Sequence, residues 1–322
     1  MKILIADQMH PSLFAMLQAQ GWTYDYYPDF RRNDIISGLA DYDGLIIRSK
    51  TRIDEELLTQ ATQLKFIARA GAGLDLIDAE ATERLGIQLF HAGAGNRDAV
   101  AEHMVGMLLM LFNNLNKADR EVRQAIWDRE GNRGVELMGM TVGLIGYGNN
   151  GSATARRLSG FGCQVLAYDK YRDNYGDRYA KEASIAEIQR EADVLSLHIP
   201  LTELTRDMVD AKFIAAFSKP FYLVNVSRGE IVNAKALVQA MKSDKILGAC
   251  LDVLENEKLS QLNNPQQESF DYLRSSPHTV LTPHVAGWTH ESYVRINEVL
   301  VKQVAKWEES HRSTGTPELG NG

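Results

Sequence analysis

Residues Thr141 to Lys170 read TVGLIGYGNNGSATARRLSGFGCQVLAYDK, and the order of residue types in this stretch decides the fold. Val142-Gly143-Leu144-Ile145 is an apolar run of the length expected for a buried parallel strand. A glycine turn follows, Gly146-Tyr147-Gly148-Asn149-Asn150-Gly151. The next segment has helical periodicity, with Ala153, Ala155 and Leu158 on one face and Arg156 and Arg157 on the other. A second strand, Gln164 to Tyr168, ends at Asp169. Each glycine has its own job: Gly146 makes the tight turn, Gly148 lets backbone approach a pyrophosphate, and Gly151 lets helix and strand pack closely. Unpaired N–H groups at the helix start can then receive the phosphates. A bare GxGxxG also occurs in purely structural turns, but here both strands and the helix accompany it. Asp169, about 20 residues further on, can accept hydrogen bonds from ribose hydroxyls and repels a 2′-phosphate, so NAD is expected over NADP. The alternative is a plain strand-end cap, and Lys170 and Arg172 leave some use of NADP open.

The 322 residues are 44% apolar and carry 35 Lys and Arg against 42 Asp and Glu, a net charge of −7. That describes a globular chain of about two domains. An acidic balance without a basic tract argues against nucleic acid as a partner. Cys163 and Cys250 form neither CxxC nor a metal-ligand spacing, so buried thiols, a reducing compartment and a cytoplasmic location are expected. Lys2 to Ala6, KILIA, is too short for a signal h-region and suits a first buried strand. The apolar stretch Ala99 to Leu115 is interrupted by Glu102, His103, Asn113 and Asn114. It is therefore a core or interface helix rather than a membrane span.

Strand-like runs recur before this stretch, at Lys2 to Ala6, Trp22 to Tyr26, Gly44 to Arg48, Phe66 to Arg69 and Ile87 to Phe90. Helix-like stretches, Leu13 to Gln20 and Ile53 to Ala61, lie between them. Such alternation predicts a parallel sheet covered on both faces. From Asn96 a long helix leads into a polar, charge-rich stretch, Lys117 to Glu136, and a second βα series starts at Thr141. Its later strands are expected at Val194 to His198, Tyr222 to Val226, Gly248 to Leu251 and Thr279 to Leu281. Val294, Val299, Leu300, Val304 and Trp307 give Ser292 to Glu309 helical spacing, and this last helix should return to the first domain. The tail from Ser313 is small, polar and glycine-rich, and disorder is expected there.

Ligands of open α/β sheets bind at the carboxyl ends of strands. Three such ends carry chemistry: Asn225-Val226-Ser227-Arg228-Gly229, Leu251-Asp252-Val253-Leu254-Glu255-Asn256-Glu257, and Leu281-Thr282-Pro283-His284-Val285-Ala286-Gly287. In the first domain, Arg69-Ala70-Gly71-Ala72-Gly73-Leu74-Asp75 is a turn whose N–H groups could meet an anion. Singly, Arg228 could be a surface ion-pair partner, His284 a satisfied turn histidine and Glu257 a solvated carboxylate. Together they supply what hydride transfer to a 2-oxo acid needs. A guanidinium grips carboxylate and carbonyl, an imidazolium gives the proton, and a carboxylate orients that imidazole. No His, Cys, Asp or Glu set has metal spacing, and neither GxSxG nor HExxH occurs, so zinc, serine-hydrolase and metalloprotease chemistry are not expected.

Taken in order, Gly146-x-Gly148-x-x-Gly151 with Asp169, Asn225-x-x-Arg228-Gly229, Leu251-Asp252-Val253-x-x-x-Glu257 and Thr282-Pro283-His284 resemble the NAD-dependent D-isomer-specific 2-hydroxyacid dehydrogenases. Ala99-Val100-Ala101-Glu102-His103 and Arg133-Gly134-x-Glu136-Leu137 also fit, and the likeness runs from about Arg48 to the last helix. The resemblance implies an α/β protein of two doubly wound parallel-sheet domains. A Rossmann NAD-binding domain, 96–287, would be inserted into a flavodoxin-like substrate domain, 1–95 and 288–322, with the active site in the cleft. It implies Arg228 as substrate ligand, His284 as acid/base and Glu257 as its partner. The turn Gly146, Gly148, Asn149, Asn150 and Gly151 would hold the cofactor with Asp169. Asp252 would contact the nicotinamide amide, and backbone at Ala72 and Gly73 the substrate carboxylate. The helix from Ala99 would form much of a homodimer interface, which would also account for its apolar character.

Within the family, Arg48-Ser49-Lys50-Thr51 and Arg69-Ala70-Gly71-x-Gly73-x-Asp75 are similar to segments of D-3-phosphoglycerate dehydrogenases, where the first lies near the substrate phosphate. Arg48 and Lys50 are thus expected at a phosphate, with a solvated strand end as the alternative. The ACT-like regulatory domain of many such enzymes has no counterpart, so serine feedback is not expected. Glyoxylate or hydroxypyruvate reduction is the competing activity. An NAD(H)-sensing co-repressor is the competing class, and formate oxidation is disfavoured because it leaves a histidine–glutamate pair no proton to manage. Three departures bear on substrate identity. Asn149-Asn150 is expected to loosen the phosphate turn, Lys258 replaces a proline after Glu257, and Trp288 stands where a small residue is usual. Trp288 would narrow the pocket, pack between domains or begin the last segment as a core residue.

Overall fold

Short apolar runs pair as parallel strands in two separate sheets of a computed structural model that describes residues 1–312; the tail from Ser313 lies outside the described residues. The first sheet contains β1 (Lys2–Ile5), β2 (Thr23–Tyr26), β3 (Gly44–Ile47), β4 (Phe66–Arg69) and β5 (Gln88–His91) in the order β2-β1-β3-β4-β5. The second contains β6 (Thr141–Ile145), β7 (Gln164–Tyr168), β8 (Lys181–Glu182), β9 (Val194–Leu197), β10 (Phe221–Asn225), β11 (Ile246–Leu251) and β12 (Thr279–Leu281), in the order β12-β11-β10-β9-β6-β7-β8. The chain divides into two compact units, Met1–Asn96 with the chain from Thr289 onward, and Arg97–Trp288.

In the first unit the central strands are buried on both faces, as a continuous apolar run such as Ile3-Leu4-Ile5 requires. The helix His290–Arg312 lays Ile296, Leu300, Val301 and Val304 against Ile3, Ile5 and Phe66. Its close approach depends on Gly95, because a Cβ there would meet the Ile296 backbone. Trp22 fixes the far end by donating from Nε1 to Glu308 Oε2 at 2.9 Å.

The second unit packs helices on both faces of its longer sheet. The helix Arg97–Phe112 buries Val100, Met104, Leu108, Leu111 and Phe112 against Val142, Leu144, Val224 and Cys250. Its apolar character is thereby satisfied inside its own unit, which corrects the expectation that a partner subunit explains it. The exposed apolar side chains lie further on: Leu115, Val122, Ile126, Trp127 and Met138, with Trp127 80% exposed.

Three elements are additions to the sequence reading. β8 has only two residues, and the helix Leu115–Arg123 falls inside the stretch read as merely charge-rich, with no buried residue. The helix Asn264–Ser275 begins with a signal that was available: Asn263 and Gln266 form a capping box and Pro265 sits in the first turn. Among the described residues no helix is long and apolar enough to cross a membrane.

His198 follows β9, and its Nε2 pairs with Ser196 Oγ at 2.9 Å while Nδ1 is buried without a hydrogen-bond partner. Burial disfavours the charged ring and pushes its pKa down from 6.5 to about 4. The unfolded chain then takes up a proton first as pH falls below 6.5, so this contribution to stability is lost between 6.5 and 4. Urea unfolding of the wild type should lose about 2 kcal/mol more between pH 7 and pH 4.5 than unfolding of His198→Gln. Equal losses in the two proteins would show that the ring is not held neutral.

Candidate active site

The strand order of the second sheet reverses direction of winding between β6 and β9, and the glycine turn sits at the end of β6. Gly146 has φ +95°, and a Cβ on it would run into the His198 carbonyl. A Cβ on Gly151 would run into the Gly146 carbonyl, whereas one on Gly148 would meet nothing within 4 Å. The turn is therefore closed on its inner side and open at Gly148. Gly146 N–H donates to Tyr168 O at 2.7 Å, so the turn also ties β6 to β7. The helix Asn149–Leu158 starts at Gly148 with no side-chain cap. Its first-turn N–H groups consequently face outward for an anion.

Asp169 accepts from Tyr147 N at 2.9 Å and from Tyr171 N at 3.0 Å. Tyr147 is buried and donates from its hydroxyl to Asp177 Oδ1 at 2.9 Å, while Arg172 Nη1 donates to the Tyr147 carbonyl at 2.5 Å. Arg172, expected to leave use of NADP open, thus braces the turn. Asn149-Asn150 does not open the turn, contrary to the expectation that it would loosen it. Instead Asn150 Oδ1 is buried there without a partner. A backbone cradle open at one glycine, an uncapped helix start, a strand-end carboxylate and an orphaned amide oxygen together fit NAD.

The acid/base pair stands at the ends of β11 and β12. Asp252, 1% exposed, organises it. Its Oδ1 accepts from Thr282 Oγ1 at 2.5 Å and Val285 N at 2.9 Å, and its Oδ2 accepts from Ala286 N at 2.9 Å. Its backbone carbonyl accepts from His284 N at 2.7 Å. His284 itself is left-handed, with φ +55°. For a residue with a Cβ that conformation costs about 1–2 kcal/mol, so it persists only where neighbours over-determine it. His103 Nε2 lies 3.0 Å from Thr282 Oγ1 and 3.5 Å from Asp252 Oδ1, extending the network to the helix Arg97–Phe112. The sequence expectation gave Asp252 to the nicotinamide amide; here both its oxygens serve the His284 turn.

His284 Nδ1 lies 2.9 Å and 3.1 Å from the two oxygens of Glu257. A carboxylate accepts only, so Nδ1 carries the hydrogen and Nε2 is the nitrogen left for proton exchange. The pair is half-exposed, His284 at 45% and Glu257 at 49%.

Arg228 follows β10 on a turn wired to the sheet. Asn225 Nδ2 donates to Arg228 O at 2.9 Å, Ser227 Oγ donates to Leu197 O at 2.6 Å, and Arg228 Nη1 donates to Ser227 O at 2.7 Å. A Cβ on Gly229 would run into the carbonyl group of Leu254. The Arg228 turn and the stretch leading to Glu257 therefore pack backbone to backbone. Trp288 is 47% exposed, not the core residue that was one expectation.

In the first unit, Arg48 and Lys50 line a pocket of about 430 Å³ with Asp7, Gln8, Tyr26 and Asp29. Lys50 Nζ donates to Pro28 O at 2.5 Å and stands 3.6 Å from Asp7 Oδ1, while Asp7 Oδ2 accepts from Arg48 N at 2.6 Å. The Arg48 guanidinium lies 5.1 Å over the Tyr293 ring. Ala72 and Gly73 form a half-buried turn beyond β4, and the Arg69 guanidinium occupies the space a Cβ on Gly71 would take. Among the described residues no group of three or more His, Cys, Asp or Glu could hold a metal ion.

Residues 105–286 match the D-isomer specific 2-hydroxyacid dehydrogenase, NAD binding domain. The chain is 31% identical over 310 residues to D-3-phosphoglycerate dehydrogenase of Methanocaldococcus jannaschii, covering 95% of this chain and 57% of that protein. It thus spans little more than half the length of that relative. It is 32% identical to hydroxypyruvate reductase of Thermotoga maritima, covering 85% of this chain and 88% of the relative. Among solved structures, D-lactate dehydrogenase of Aquifex aeolicus with NAD and lactic acid superposes with a TM-score of 0.81 at 26% identity, covering 100% of both chains.

The two glycines should separate when replaced. Gly148→Ala should unfold within about 1 kcal/mol of wild type, since its Cβ meets nothing, yet weaken NADH binding at least about 10-fold by filling the space a pyrophosphate needs. Gly151→Ala should lose both stability and binding. Titration of NADH fluorescence alongside thermal unfolding reads both, and unchanged NADH affinity in Gly148→Ala would remove the turn from the cofactor site.

Proposed function

Because the chain belongs to the D-isomer specific 2-hydroxyacid dehydrogenase family, we propose that it is an NAD-dependent oxidoreductase that moves a hydride between NAD(H) and C2 of a small D-2-hydroxy or 2-oxo acid. The observation that carries this reading is the His284–Glu257 contact on a strained turn, with Arg228 two strand ends away on the same sheet edge. The unit Arg97–Trp288 serves as the Rossmann domain and the other unit as the substrate domain. Bound NADH supplies the hydride in reduction, and NAD accepts it in oxidation. Arg228 grips the substrate carboxylate and polarises the carbonyl. His284 gives the Nε2 proton to the new alkoxide, and Glu257 keeps Nδ1 hydrogen-bonded throughout. In oxidation the neutral Nε2 takes the hydroxyl proton.

The preferred substrate in this reading is 3-phosphoglycerate with its partner 3-phosphohydroxypyruvate. Arg48 and Lys50 in one pocket support it, as does the name of the Methanocaldococcus relative. Backbone at Ala72 and Gly73 is the proposed carboxylate rest. Hydroxypyruvate or glyoxylate reduction is the second reading, favoured by Asp7, which already engages Lys50 and would repel a phosphate. Unpaired Cys163 and Cys250 suit a reducing compartment, the cytoplasm.

A homodimer belongs to this reading as well. Its proposed surface is the exposed apolar set from Leu115 to Met138 that continues the helix first expected there. Trp127→Glu should shift the mass measured by light scattering from two chains towards one, and an unchanged mass would move the interface elsewhere.

Activity is tested by NADH oxidation against hydroxypyruvate, phosphohydroxypyruvate, glyoxylate, pyruvate and 2-oxoglutarate. His284→Ala should lower kcat by about 100-fold or more. Reduction should weaken as pH rises and oxidation as pH falls, since they use opposite protonation states of one ring. Lys50→Ala should raise KM for phosphohydroxypyruvate by about 10-fold and leave hydroxypyruvate unaffected. Tight NADH binding with no turnover of any acid would overturn the enzyme reading in favour of a sensor.

A further inference from the structure

We propose that Gln266 is a positioning residue for the acid/base pair, tying the loop that carries Glu257 to the helix Asn264–Ser275. The proposal rests on the roles given to Glu257 and His284 in the proposed function. Residues 255–263, ENEKLSQLN, contain neither proline nor glycine, so nothing in their covalent structure restricts the backbone. Packing does little for them either. Glu255, Glu257 and Lys258 are exposed, and a cavity of about 30 Å³ lies beneath, lined by Leu254, Asn256, Leu262 and Gln266.

What remains is a clasp of amides. Asn256 Oδ1 accepts from Lys258 N at 3.0 Å, bridging the backbone across Glu257. Asn256 Nδ2 donates to Gln266 Oε1 at 3.1 Å, which also accepts from Asn263 N at 3.2 Å. Gln266 Nε2 donates to Glu255 Oε1 at 3.3 Å. One half-buried side chain on a helix therefore holds the loop just before Glu257 and again at its end. The carboxylate must stay within hydrogen-bond reach of His284 Nδ1 to orient the ring, and a small displacement of a positioned group costs rate out of proportion to its size.

The test compares Gln266→Ala with Asn256→Ala, since only the first also removes the helix cap. Amide exchange over residues 254–264 should quicken by about 10-fold in both, and the ¹⁵N resonances of the His284 ring should move as they do in Glu257→Gln. Neither readout needs a substrate, so both decide the proposal even if no 2-oxo acid is turned over and the enzyme reading fails. Where turnover is measured, each variant should lower kcat by about 10-fold with KM for NADH unchanged, and add less than about 2-fold in a Glu257→Gln background. Unchanged ring resonances, a full loss persisting without Glu257, or an effect in Gln266→Ala alone would each overturn the proposal.

Discussion

The Asp252 carboxylate is the constraint on which this sheet edge depends. It is buried at the end of β11, and its oxygens take a hydroxyl and two backbone N–H groups from the segment after β12. A buried carboxylate without such donors would cost several kcal/mol, so the loop and the charge require each other. The outcome is a histidine held left-handed. The side chain leaves the backbone in a direction that an ordinary strand end would not give it, and the strain is met by bonds made elsewhere in the turn.

The second constraint is the absence of a Cβ. At Gly146 and Gly151 it lets β6, the following helix and the backbone after β9 close on one another, and at Gly229 it lets the Arg228 turn rest on Leu254. These contacts join strand ends that are far apart in sequence but adjacent in the parallel sheet. Side chains from three loops acquire fixed relations because their backbones touch, and the relations do not depend on how the side chains themselves pack.

The α/β architecture was legible because each buried parallel strand is a short apolar run, and boundaries moved by only a residue or two: Lys2 to Ala6 became Lys2–Ile5, and Val194 to His198 became Val194–Leu197. The candidate residues were legible because they sit just past strand ends, where little but function asks for Arg, Glu or His. The work of Asp252 was hidden, since a carboxylate that bonds backbone N–H groups some thirty residues away leaves no spacing pattern. The apolar helix Arg97–Phe112 misled for a related reason. Hydrophobicity says that a surface is covered but not by what, and here most of the covering is done by the chain's own strands. Asn256 and Gln266 were legible only as polar residues in an irregular stretch; their pairing required the helix that the capping box announces.

An ion pair as exposed as Glu257 and His284 contributes little in water, about 0–1 kcal/mol. It cannot be what brings these two residues together. The geometry must come from tethers that act whether or not the pair is formed: Asp252 on one side, the amide clasp on the other. The same exposure makes the pair responsive. Its attraction is weak while water surrounds it and strengthens as water is displaced, because the effective dielectric falls. A ligand seated over Nε2 would therefore tighten the contact that orients the ring, at the moment when the proton has to move.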